Sequence, residues 1–67
     1  MSKRKLVKKA AGLMGVERRQ ARRVMRAAAP YEWTSVVIED GCVRVRVQAG
    51  GKNAPVHPSY MIGVPKR

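Results

Sequence analysis

The chain has no phenylalanine, one cysteine, one histidine and only four carboxylates among its 67 residues. Each shortage removes a class of function. His57, Cys42 and the scattered Glu17, Glu32, Glu39 and Asp40 do not assemble an acid–base pair, a nucleophilic triad or a metal shell. No enzyme activity, cofactor or metal site is therefore expected. A single cysteine excludes an internal disulfide framework and suits a reducing compartment. No apolar run approaches the ~18 residues of a membrane-spanning helix. The first residues are basic, but no apolar stretch of signal-peptide length follows them, so no signal peptide is expected. The length leaves room for one small domain, and one Trp and two Tyr leave its core to aliphatic side chains.

What the chain has in abundance is positive charge. Fifteen Lys and Arg against four acids give a formal net charge of +11. Ten of the fifteen, with one acid, fall in residues 1–30; the other five, with three acids, fall in 31–67. Charge gathered in one segment reads as an electrostatic footprint for a polyanion. The pattern divides 1–67, taken as one domain, into a basic helical segment (1–30), a β-hairpin (31–49) and a loop with a C-terminal tail (50–67).

On a helix at 100° per residue, Leu6, Val7, Ala10, Ala11, Leu13 and Met14 share one face, and Lys5, Lys8 and Lys9 lie opposite. From Val16 onward, Val16, Ala21, Val24, Ala27 and Ala28 share a second apolar face. Arg18, Arg19, Arg22, Arg23 and Arg26 fill the side away from it. The two stripes are out of phase by roughly 70° on a straight helix. Gly12 and Gly15 lie at the junction, and glycine suits the position just past a helix end. This predicts a helix over 3–14, a turn at Gly15 and a second helix over 16–28, stopped by Pro30. Glu17 falls in the first turn of that second helix, where the positive end of the dipole favours an acid. The arginines repeat at i, i+4, a spacing at which like charges repel. An anionic partner relieves that repulsion; the bland alternative is a solvated basic face.

Ala11, Gly15, Val16, Ala21 and Val24 stand where helix-turn-helix DNA-binding proteins carry a small residue, the turn glycine and the apolar anchors of the second helix. Over 10–24 the chain resembles that family. The resemblance implies that the second helix is a recognition helix in the major groove, led by Glu17, Arg18, Arg19 and Arg22.

Two β-branched runs flank Asp40-Gly41, the strongest short hairpin signal, because both central residues of such a turn take positive φ. A two-residue loop pairs Glu39 with Cys42. Ile38 then faces Val43, Val36 faces Val45 and Thr34 faces Val47 on an apolar side that covers the helices. The outer side carries Val37, Arg44, Ser35, Arg46, Trp33 and Gln48. As a wing, Arg44 and Arg46 contact phosphate and Trp33 stacks; otherwise the arginines form an outer face and Trp33 is the largest core residue. Residues 50–58 read as a loop, 59–64 as a short third strand, and 65–67 as a frayed end. His57 reads as an exposed loop residue, and Cys42 as small and partly exposed.

The expected fold is thus α+β, two helix-turn-helix-like helices followed by a winged-helix-like hairpin. The implied partner is nucleic acid, DNA ahead of RNA, with a homodimer left open and neither membrane nor small-molecule substrate. Lys5, Lys8, Lys9, Glu17, Arg18, Arg19, Arg22, Arg23, Arg26, Arg44 and Arg46 are the candidate contacts. The leading function is a non-enzymatic DNA-binding transcription regulator of phage or mobile-element type, in the bacterial cytoplasm or nucleoid. Its rivals are a packaging protein of a virion, an inhibitor docking on an acidic protein surface, and, weakest, a membrane-surface helix, which lacks Trp or Phe anchors.

Overall fold

A computed structural model describes residues 3–48 and 58–66 of the protein. Helices α1 (Lys3–Met14) and α2 (Arg18–Ala28) pack on one face of an antiparallel sheet. Its strands, β1 (Glu32–Glu39), β2 (Cys42–Gln48) and β3 (Ser59–Gly63), lie in the order β1-β2-β3. The architecture is α+β, with the hairpin and the third strand that the sequence predicts. No helix among the described residues is long and apolar enough to cross a membrane.

α1 ends where glycine permits it. Gly15 takes φ +68°, and the Val16 N–H donates to the Ala11 carbonyl at 3.0 Å, the six-to-one bond of a Schellman closure. That closure draws Val16 into the turn, so α2 starts at Arg18 and not at 16 as the periodicity suggests. Glu17 is therefore the N-cap residue, with extended backbone (φ −70°, ψ 151°) and no side-chain capping bond. The apolar face of α2 is centred on Ala21 and Met25, both fully buried, with Val24 and Ala28 half-buried. Ala27, expected on that face, is exposed. In α1, Leu6, Val7, Ala10 and Ala11 are buried as expected.

The hairpin turns at Asp40 (φ +54°) and Gly41 (φ +74°), and Glu39 pairs with Cys42, Ile38 with Val43 and Val36 with Val45. Beyond Ser35 the register shifts. Trp33, not Thr34, stands opposite Val47, with Thr34 taken up in the irregularity between Trp33 and Ser35. The reason is burial: the shift turns the indole inward, where it is 7% exposed and its Nε1–H donates to the Ala29 carbonyl at 2.8 Å. Thr34 instead donates its hydroxyl to the Arg46 carbonyl. Trp33 is thus a core residue and does not belong to the outer face. Ile38 does face Val43, but on an edge strand beside the turn it is left 49% exposed while central Val43 is buried. Val43, Val45 and Val47 of β2, with Val36, Trp33 and Ile62, complete the core against the helices.

The tail is tied down through Lys66. Its N–H donates to the Leu13 carbonyl at 2.7 Å, and its aliphatic stem lies over Gly15. The expected fraying at 65–67 thus fails for Pro65 and Lys66, because a free carbonyl at the end of α1 needs a donor. Of the expected loop, residues 50–57, His57 included, lie outside the described residues, as does Arg67. Pro58 accepts from the Val47 N–H at 3.0 Å.

Candidate nucleic-acid interface

The arginine arc follows from the phase of α2. With Ala21 and Met25 turned to the core, Arg18, Arg22, Arg26, Arg19 and Arg23 are spread over about 140° of the exposed circumference. All five are exposed. Among the described residues the one salt bridge lies elsewhere, between Arg46 and Glu39. No salt bridge among the described residues thus neutralises an arginine of the arc.

α1 contributes to the arc from its N-terminal end. Arg4 and Val7 line one cleft with Arg18, Arg19 and Arg22, so four guanidiniums converge without a carboxylate. Sequence reasoning passed over Arg4. Its signal was helical phase, since Arg4 lies about 20° from buried Ala11 on the α1 wheel, on the flank turned to α2. Lys8, one turn on, is exposed on the same flank, whereas Lys9 lies about 140° round from Arg4 and points away. Lys5 is exposed between them. The lysines of α1 thus do not act as one row with the arginines of α2.

A second groove beside the first has a different character. Glu17, Arg19, Gln20, Arg23 and Val24 line it. Arg19 and Arg23 are pure donors, Glu17 is a pure acceptor, and Gln20 is both. At the far end of α2, Arg26 shares a third cleft with Lys3, Tyr31, Glu32 and Trp33.

Arg44 and Arg46 are separated from all of this. They alternate with the buried valines of β2 and so stand on the sheet face away from the helices. Both are engaged there. Arg44 donates Nε to the Ser59 hydroxyl at 3.0 Å and a second nitrogen to the Ser59 carbonyl at 3.1 Å. Arg46 donates twice to one Glu39 oxygen, at 3.2 and 2.5 Å. Cys42 is half-buried, its thiol 3.6 Å from the Asp40 carbonyl. Among the described residues no group of His, Cys, Asp and Glu could hold a metal ion. Comparison with protein-family models, curated proteins and solved structures finds no match to this chain.

Proposed function

We propose that the protein is a small, non-enzymatic nucleic-acid-binding protein that docks on duplex DNA through α2, with Arg4 and Lys8 of α1 beside it. The observation that carries this reading is the arc of five arginines and Arg4, exposed and without an acidic partner among the described residues. Guanidiniums so arranged repel one another, and a phosphate backbone relieves the repulsion while releasing its own counterions. Buried Ala11 and Ala21, left-handed Gly15 and the Ala11–Val16 closure support the helix-turn-helix likeness. The chain departs from that family's tri-helical core in having no third helix among the described residues.

Regulation of transcription, in a bacterial cytoplasm or nucleoid and of the phage or mobile-element kind, is the finer form of this proposal. It is favoured over packaging by the groove that holds Glu17 and Gln20 with Arg19 and Arg23. Phosphates offer no donor to a carboxylate, whereas base edges do: cytosine presents an amine, and adenine pairs with the glutamine amide. The test is an anisotropy titration of a selected duplex, scrambled duplexes, duplex RNA and polyglutamate. The selected duplex binds best, and Glu17→Gln or Arg19→Ala narrows the gap to scrambled duplexes, about 1–3 kcal/mol for one bidentate contact. Equal binding of every duplex makes α2 a charge carrier for packaging. A preference for polyglutamate over either nucleic acid points instead to an acidic protein surface.

A further inference from the structure

The three aromatic residues of the chain are neighbours at one corner, where α2 hands over to β1. Trp33 and Tyr31 line one cleft with Lys3, Arg26, Pro30 and Glu32. Tyr60 of β3 stacks on Tyr31, with ring centroids 6.0 Å apart and an interplanar angle of 26°. Trp33 is buried there and already has a cation, with the Lys3 ammonium 5.6 Å from its ring. Tyr31 is different, for 47% of it remains open to solvent. An exposed tyrosine ring, backed by a second ring, is an aromatic platform that the core does not require.

The platform is rigid. The Tyr31 N–H donates to the Ala29 carbonyl at 2.8 Å across Pro30, whose φ is fixed by its own ring. The same carbonyl takes the Trp33 indole N–H at 2.8 Å, and the Ala29 N–H is itself bonded to Met25 at 2.8 Å. These bonds hold the backbone at Tyr31, and the stack on Tyr60 holds its ring. It also stands at the end of a charged path, since Arg18, Arg22 and Arg26 recur along α2 with a rise of about 6 Å per step. The cleft lining is mixed, with Glu32 as acceptor and Lys3 and Arg26 as donors. A carboxylate is a poor neighbour for phosphate and a good one for the amino group of a base.

We infer that this cleft receives an unpaired nucleobase, stacked on Tyr31, while the strand that carries it runs its phosphates along Arg26, Arg22 and Arg18. The inference rests on nucleic-acid binding by the arginine arc and adds to it a site for unstacked bases. Stacking tolerates any base, because every base has a π-face.

The test uses the full chain, a 12-nucleotide thymidine strand carrying one 2-aminopurine, and a 12-base-pair duplex. Tyr31→Ala weakens single-strand binding by about 5- to 150-fold, the range that about 1–3 kcal/mol per stacked base spans. Tyr31→Phe keeps the ring and binds as wild type, and the 2-aminopurine emission is quenched by wild type and Tyr31→Phe but not by Tyr31→Ala. Duplex affinity stays within about twofold for all three, which together with unchanged Trp33 emission shows that the alanine variant is folded. Equal single-strand binding by wild type and Tyr31→Ala, with duplex binding intact, overturns the platform and leaves the proposed function standing. A parallel loss on strand and duplex overturns it too, because Tyr31 then only shapes the arc. If wild type binds neither DNA, the proposed function falls and this inference with it.

Discussion

Salt offers the sharpest test of the arginine arc. Six guanidiniums, those of Arg4, Arg18, Arg19, Arg22, Arg23 and Arg26, face outward without an acidic partner among the described residues. If each neutralises one phosphate, log K falls with log salt at a slope of about −5.4 on duplex DNA. Raising salt from about 50 to 200 mM then costs about three decades of affinity. Arg22→Ala, in the cleft shared with Arg4, should lower the slope by about 0.9 and reduce that loss by about half a decade. Arg46→Ala is the internal control, because Arg46 stands on the opposite sheet face and is paired with Glu39. It should leave the slope unchanged. The measurement is an anisotropy titration of one duplex at four or five salt concentrations for each variant. A wild-type slope shallower than about −2, or an Arg46→Ala slope reduced as much as that of Arg22→Ala, refutes docking through this face.

Further expectations concern stability. Gly15→Ala should cost at least 1–2 kcal/mol, about the penalty for left-handed backbone, since φ is +68° and a Cβ there would lie 2.6 Å from Lys66 Cδ. Gly12→Ala, with nothing within 4 Å of the added Cβ, should stabilise α1 by up to about 1 kcal/mol. Thermal melts that rank the two variants the other way dispose of both arguments. Trp33→Phe removes the bond to the Ala29 carbonyl and leaves a gap beneath Val47, for a loss of about 2–3 kcal/mol. Urea unfolding followed by far-UV circular dichroism reads that loss, and an unchanged midpoint contradicts it.

Local signals made most of the fold legible. The helix break needed only the phase of the apolar stripes and Gly15. The hairpin needed only Asp40-Gly41 between β-branched runs, and its register held through Ser35. What sequence could not supply were choices settled between distant residues. Thr34 against Val47 satisfies alternation, yet burial of Trp33 near Ala29 is worth more than an unbroken ladder, so the strand shifts register. Met25 lies about 40° from Ala21 on any helix through 18–28, so its burial beside Ala21 was legible in the phase and was passed over. Arg44 and Arg46 looked equivalent to the arginines of α2 as charges. Their distinction lies in Ser59 and Glu39, partners 15 and 7 residues away in sequence. Arg4 entered the site because α1 lays its N-terminal turn beside α2, a tertiary fact with only a faint trace in helical phase.

The strap formed by Lys66 bears on how the chain acquires its shape. Lys66 bonds Leu13 and covers Gly15, contacts closed across 53 residues of chain. Non-local contacts of this kind are entropically late, because the loop between their ends must be closed before they return any energy. The bend between α1 and α2, closed locally by the Ala11–Val16 bond, is thus also braced by a contact from the far end of the chain. The turn beside the cleft of Arg4, Arg18 and Arg22 is thereby tied to the C-terminal tail. A peptide of residues 1–30 would keep the charges and the helical tendency while losing the strap that holds the spacing between them.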